Sequence, residues 1–485
     1  MIKYDPAATL PPATYIGLVV TFLAIEAIYH ACGIRFDVTP LNSSWQFLDP
    51  LLLRTDLLRS VWYLHSQPPI FNLCLGVVLK LTGSHSESAF HLLYVGCGLA
   101  LYIGLVKLLQ RLGVRLRLAV LVATLFLVSP SFMLYEHWLF YTFPVAMLLV
   151  MTVLALARLL DRPAPVRGLV FCSLVFLLCG IQSMYQLPYF VLSVVGLATM
   201  HPRGRRALLY GAVLPFVLLC TLYFKNAIVF GVPSTSSWAG LSLAKMTIGY
   251  LSTNTLHKMV MAGLISPLSL VEPFSPPDAY PPAYFTATGF DDVPAVFARV
   301  KSTGEPNMNH VGFVGVSRQY LRDSLAVLWR NPRTLVAASG DAWWIYSWSS
   351  SEYRFLERNR AQVARWNRAF DRVLYGHWHD SRVYLGLVIG LPLAVVFAAA
   401  LLFSGERVYA GDWRILACVL FNILYVAVVG NMLEMGENNR FRFATDALSV
   451  AILTLMVQWV YDVLRSRRWH CSLPNAGTTG PPPLH

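Results

Sequence analysis

The chain reads as an all-α polytopic membrane protein, and three observations carry that expectation. Of its 485 residues 56% are hydrophobic and only 13% are charged, with a mean hydropathy of +0.55, values that belong to membrane proteins rather than water-soluble domains. About ten apolar segments recur along the chain. Between them arginines and lysines collect in short connections, as cytoplasmic loops do, so the net charge of +13 speaks for membrane topology and against nucleic-acid binding.

Taken in order, the first span covers about 14–32. No basic region followed by a small-residue cleavage site precedes it, so it is expected to remain as an anchor. The first loop, 34–87, follows. Asp49 stands before Pro50, which suits the first position of a helix, and Leu51, Leu52, Leu57, Leu58, Val61 and Trp62 recur at helical spacing opposite Arg54, Asp56 and Arg59. This predicts one amphipathic helix along the membrane face. Pro68-Pro69 ends it, and 70–81 forms a short apolar helix, below the roughly 20 residues needed to cross a bilayer.

Further spans are expected over 88–109, 118–135, 140–160, 169–182, 187–200 and 208–230. The clusters Arg111/Arg115/Arg117, Arg158/Arg162/Arg167 and Arg203/Arg205/Arg206 all fall on one side, which puts the N-terminus inside and the first loop outside. Residues 1–230 then form an N-terminal membrane module, and 231–382 an extracytoplasmic insertion too long for a connector, with helices over 316–329 and 352–374. Spans over 383–403, 415–432 and 444–464 complete a C-terminal membrane unit, 383–468. The Pro- and Gly-rich tail, 469–485, is expected to be a disordered cytoplasmic segment. The eight cysteines sit mostly inside apolar runs and indicate neither a disulfide framework nor a zinc site.

The polar residues that chemistry needs accumulate at the outer rim: Asp37, Asp49, His65, Gln67, Glu136, His137, Lys225, Glu437, Arg440 and Arg442. Ionisable groups at membrane depth are costly unless they pair or line a cavity, so a functional cavity is expected there. Arg440 and Arg442, just before the last span, offer planar forks of donors that suit a phosphate, and at a bilayer rim the obvious phosphate is a lipid's. Each residue also has a plainer reading: Asp49 as a helix cap, Glu136-His137-Trp138 as an interfacial anchor, and the arginines as partners of Glu437. The run His377-Trp378-His379-Asp380 has the look of a ligand cluster, but alternate positions around a Trp favour an interfacial role. Trp343-Trp344-Ile345-Tyr346-Ser347-Trp348 suits a membrane-surface belt better than a sugar-stacking platform.

With an early extracytoplasmic Asp heading a surface helix, a Pro-Pro element one short helix later and spans separated by Arg clusters, the chain resembles the GT-C fold polyprenyl-phosphate-sugar-dependent glycosyltransferases. The likeness is to the branch with the lipopolysaccharide-core, aminoarabinose and protein O-mannosyl transferases. Asp49 stands at that family's Asp, followed by Pro50 instead of Glu. Gln67-Pro68-Pro69 stands at its His-Pro-Pro element, with His65 two residues earlier. The resemblance implies a GT-C-like bundle with periplasmic juxtamembrane helices, in the inner membrane of a cell envelope. It implies inverting transfer of a sugar from a polyprenyl-phosphate donor to an extracytoplasmic glycan, lipid or protein acceptor. Asp49, or Asp37 in its place, would be the general base. Glu136 would support it, and Arg440 and Arg442, with Lys225 or His65, would hold the donor phosphate. Gln67, Glu437 and His137 would contact substrate. No cofactor or metal motif is needed for this chemistry. A transporter or flippase, and another membrane enzyme such as an acyltransferase, remain open, although there is no internal repeat of the kind many transporters carry.

Overall fold

The computed structural model describes residues 10–286, 289–376, 384–404 and 412–471; the run 377–380 lies outside them. Among the described residues the structure is helical, with no strand beyond two isolated bridges, Asp37 with Trp138 and Val300 with Pro306. Every segment expected to span is a helix. In chain order these are α1 (Pro12–Ala31), then in the first loop α2 (Pro40–Ser43), α3 (Pro50–Thr55), α4 (Leu57–Trp62) and α5 (Pro69–Thr82), followed by α6 (Ser86–Arg111), α7 (Leu116–Leu127), α8 (Pro130–Glu136), α9 (Thr142–Asp161), α10 (Pro165–Ile181), α11 (Leu187–Met200) and α12 (Arg205–Phe230). The insertion contributes α13 (Ala239–Met246), α14 (Thr253–Met261), α15 (Pro294–Phe297), α16 (Gly312–Arg330), α17 (Arg333–Tyr346) and α18 (Arg360–Leu374). The chain returns to the bundle with α19 (Leu391–Ser404), α20 (Trp413–Leu433) and α21 (Asn438–Cys471).

Among the described residues seven helical stretches are long and apolar enough to cross a membrane, and eight if the bent pair α7–α8 counts as one. Their outer faces carry exposed Ile16, Val20, Val213, Val217, Ile228, Val396 and Phe403, side chains that in water would cost hydrophobic free energy and in lipid cost none. The protein is therefore a multi-pass helical membrane protein.

Four local departures from the expected elements have identifiable causes. The surface helix of the first loop is two helices, because Asp56 leaves helical geometry (φ −135°, ψ 55°) and lets Leu57 seat against Gly76 of α5, where a Cβ would lie 2.1 Å from the leucine Cδ1. The segment 118–135 is bent by 60° at Ser129-Pro130: proline cannot donate to the preceding turn, and the Ser129 hydroxyl instead caps α8 by accepting from the Phe132 N–H. The last helix begins at Asn438, so Arg440 and Arg442 lie within its first turns and not in a loop before it. Within the insertion, α13 and α17 form where no helix was expected, and the expected piece 352–374 is helical only over Arg360–Leu374.

Among the described residues the insertion divides between three clusters, the smallest being Met246, Ala338 and Ala342. Trp238, Leu241, Met308, Phe313, Val316 and Tyr320 make one of its own, built on the approach of Gly240 in α13 to the Ser317 carbonyl of α16. Tyr346, Tyr353, Leu356 and Val363 instead join the core of the bundle.

The tightest helix pair in the bundle is α10 with α12, where Gly168 and Gly211 bring the backbones together: a Cβ on Gly211 would lie 2.2 Å from the Leu169 nitrogen. Gly211→Ala should therefore cost about 1–3 kcal/mol through overpacking, read as a lower unfolding midpoint in detergent. Gly17→Ala, at a position with open space around it, should be neutral or slightly stabilising, because alanine is the better helix former.

Candidate functional site

One short segment, Glu136 to Thr142, organises the end of the bundle that carries the first loop. It leaves α8 through a turn at His137 and pairs with the chain just past α1: the Asp37 N–H donates to the His137 carbonyl (2.8 Å) and the Leu139 N–H to the Asp37 carbonyl (2.9 Å). These two bonds bring the first-loop carboxylate to Glu136 and His137 from 100 residues away in sequence. Asp37 is buried, and Thr39 donates both its N–H (3.0 Å) and its hydroxyl (2.7 Å) to Asp37 Oδ1. Arg358, half-exposed, lies 3.6 Å from the same oxygen, and Oδ2 accepts no hydrogen bond among the described residues. Asp37, His137, Trp138, Leu356, Arg358 and Asn359 line a small cavity of about 10 Å³.

On the other side of the segment stands Arg440. Its guanidinium lies over the rings of Phe140 (4.9 Å), Tyr141 (5.4 Å), Tyr353 (5.6 Å) and Phe441 (4.8 Å), a cation held by ring quadrupoles. One of its nitrogens donates to the Thr142 hydroxyl (3.1 Å) and another to Glu437, while Nε is buried with no hydrogen-bond partner. Tyr353 donates to the second Glu437 oxygen at 3.0 Å. Burial pushes the Glu437 carboxyl up, but the Arg440 charge and hydrogen bond, Lys245 and Tyr353 together outweigh it and hold the group below the usual carboxylate range. Trp138 stacked on Phe140 at 4.5 Å joins the Asp37 side of the segment to the Arg440 side.

A second group of expected residues gathers between the first loop, α12 and the insertion. His65 Nδ1 bonds the Ser237 hydroxyl (2.8 Å), Asn309 Oδ1 accepts from the His65 and Ser66 N–H groups, and Lys225 Nζ donates to the Leu64 carbonyl (2.7 Å). His65 Nε2 and Gln67 Oε1 are buried without partners. Burial, with the Lys225 charge beside it, pushes the His65 imidazole down to about 3, so it is neutral at physiological pH and acts there as a hydrogen-bonding group and not a cation.

Asp49 and Arg442 stand apart from both groups. Asp49 caps α3 by accepting from the Leu51 N–H (2.8 Å), and both its oxygens are taken up by Ser302, from the hydroxyl (2.5 Å) and from the N–H (2.6 Å). It clamps the insertion onto the first loop. Arg442 is spent on the fold: Asp446 (3.0 Å), the carbonyls of Tyr346 and Trp348 (2.6 Å each) and the Ser350 hydroxyl (2.7 Å) take its donors. The aromatic run thus meets Arg442 through its backbone, with Trp343 and Trp344 half-exposed.

Sequence reasoning missed Arg358, Tyr353, Glu26 and His91. The first two lie in a stretch dense in arginine and aromatic residues, Tyr353-Arg354-Phe355-Leu356-Glu357-Arg358, which was a signal. Glu26 and His91 sit singly inside apolar helices, and only the fold brings them beside Glu136 and His137. No family model matches the chain, no curated protein matches it, and no solved structure matches it.

Two outcomes separate support from site. Arg442→Ala leaves Asp446 buried and uncompensated and should destabilise by about 3–5 kcal/mol; Arg358→Ala, at a half-exposed pair, should change stability by less than about 1 kcal/mol. Both are read by thermal unfolding in detergent. Asp371 supplies a pH test. Burial, then Glu352, push its carboxyl up from 3.8 to about 7, so its contribution to stability is present below the lower value and lost as pH rises through the higher one. Asp371→Asn should flatten that decline; an unchanged pH profile of unfolding would show that Asp371 does not cause it.

Proposed function

We propose that the chain is an integral membrane glycosyltransferase that moves a sugar from a polyprenyl-phosphate donor to an acceptor outside the cytoplasm, with inversion. The observation that carries this reading is the meeting of a buried carboxylate, Asp37, and a half-exposed guanidinium, Arg358, in the wall of one cavity beside the aromatic platform of Trp138 and Phe140. Asp37 and Arg440 flank the same segment, as a single site requires. The resemblance of the first loop to the GT-C family adds to it, and in that setting the chain has ten spans, counting α7–α8 as one and including the shorter α10 and α11. The basic clusters favour a cytoplasmic side opposite the site, and the inner membrane is what the resemblance implies.

Asp37, and not Asp49, is the general base in this reading, because Asp49 is consumed by the α3 cap and Ser302. The acceptor hydroxyl gives its proton to Asp37 Oδ2 as its oxygen attacks the anomeric carbon. The bond from that carbon to the phosphate oxygen breaks on the opposite face, and the electron pair leaves with the polyprenyl phosphate. Arg358, 3.6 Å from Asp37 Oδ1, lies on the acceptor side of the sugar and orients the carboxylate. Arg440, paired with Glu437 and caged by rings, fixes the platform and keeps Nε without a partner. A second cavity of about 100 Å³, lined by Phe171, Val175, Tyr189, Leu197, Phe421 and Asn422 between α9, α10, α11 and α20, suits an isoprenoid tail. The same cavity favours the one competing reading, a flippase that moves a lipid-linked sugar without cleaving it.

Purified protein incubated with a panel of radiolabelled polyprenyl-phosphate sugars and envelope acceptors should transfer label. Asp37→Asn should lower transfer by about 10²–10⁴-fold with donor binding retained, whereas Asp49→Asn, which still caps, should keep most of the activity. Full activity of Asp37→Asn rules out its role as base. Label that crosses a liposome bilayer still attached to its lipid would favour the flippase.

A further inference from the structure

We propose that Glu26, His91 and His137, backed by Glu136, bind one divalent first-row transition-metal ion, Zn²⁺ suiting the donor set best. The three side chains come from α1, α6 and the end of α8, and each offers a ligand atom within 4.8 Å of the other two. The inference does not rest on the glycosyltransferase reading.

The tautomer of His137 is set for ligation. Its Nδ1 lies 3.0 Å from the Met133 carbonyl, which can only accept, so the proton sits on Nδ1 and Nε2 presents a lone pair. That Nε2 points at Glu26 Oε2, 3.8 Å away. The His91 ring is 5.4 Å from the His137 ring, and His91 Nε2 is buried with no partner. Two imidazoles and a carboxylate are a common zinc ligand set.

The second observation is Glu136. It is completely buried and lies against the Glu26 carboxyl, and among the described residues no N–H or hydroxyl donates to either of its oxygens or to Glu26 Oε1. Two carboxylates placed together away from water cannot both be ionised without a cation. Two neutral imidazoles and two carboxylates balance the charge of one divalent ion. Gly98 makes room for this arrangement, since a Cβ there would lie 1.8 Å from Glu136 Oε1. At ligand bonds of about 2.0–2.1 Å, tetrahedral ligand atoms stand about 3.3 Å apart, so the cluster needs a contraction of about 1.5 Å at most. The ion would tie α1 and α6 to the start of the 136–142 segment, and through it hold Asp37 in place.

Tag-free protein is stripped with a chelator, loaded with Zn²⁺ or Co²⁺ and assayed for bound metal and for the visible absorption of Co²⁺. One ion per chain is expected, with the intense bands of a tetrahedral site. His91→Gln and Glu26→Gln should each weaken retention by about tenfold or more, while the double variant His377→Gln/His379→Gln should retain it. Should the His91 and Glu26 variants fail to fold, the unaltered protein still decides the matter. No ion retained after loading would mean that Glu26 and Glu136 share a proton instead, and the proposal falls. It falls equally if the double variant abolishes retention or His91→Gln leaves it complete.

Discussion

Two backbone hydrogen bonds between Asp37 and the stretch leaving α8 hold the functional end of this molecule together. In a lipid bilayer or at its rim, peptide groups outside helices must find partners within the protein. Here the His137 carbonyl and the Leu139 N–H pair with the Asp37 backbone, and the short segment they fix lies between two different groups of side chains. One group is the carboxylates and histidines of α1 and α6, the other the aromatic cage of Arg440.

Burial of charge follows from that segment. Arg440 and Arg442 sit at the start of the last helix, both almost inaccessible, and isolated guanidiniums there would be unaffordable. The two solutions differ. Arg442 reaches three oxygens of the segment 346–350 and one carboxylate, which fixes the end of α17 against α21. Arg440 is balanced by one carboxylate, one hydroxyl and four rings, and keeps a nitrogen unpaired. The first arrangement leaves no guanidinium nitrogen without a partner.

Most of the bundle was legible in the sequence, because a membrane span announces itself through composition alone and each expected span falls on a helix. The breaks were less so. The bend at Pro130 was not read, since 118–135 passed as one apolar span, and Asp56 interrupts the surface helix only because Leu57 finds Gly76 across the loop, a tertiary fact. The start of α21 was hidden by its polar first turns. At the site, the rim was visible as a list of charged residues, whereas the division of labour among them was not. Asp49 and Asp37 look alike in sequence, and only the contact of Asp49 with Ser302, 253 positions away, shows which carboxylate is occupied. Glu26 and His91 gave no spacing signal, since the three helices that unite them are joined only by packing.

The central claim is that Asp37 and Arg358 face the sugar of a lipid-linked donor, and labelling tests it most directly. A polyprenyl-phosphate sugar carrying a photoreactive group on the sugar should, after irradiation and mass-spectrometric mapping, modify peptides containing residues 134–141 and 353–360. Adducts confined to the α9–α10–α11–α20 cavity or to the Ser302 face, with none on those two peptides, would contradict the account.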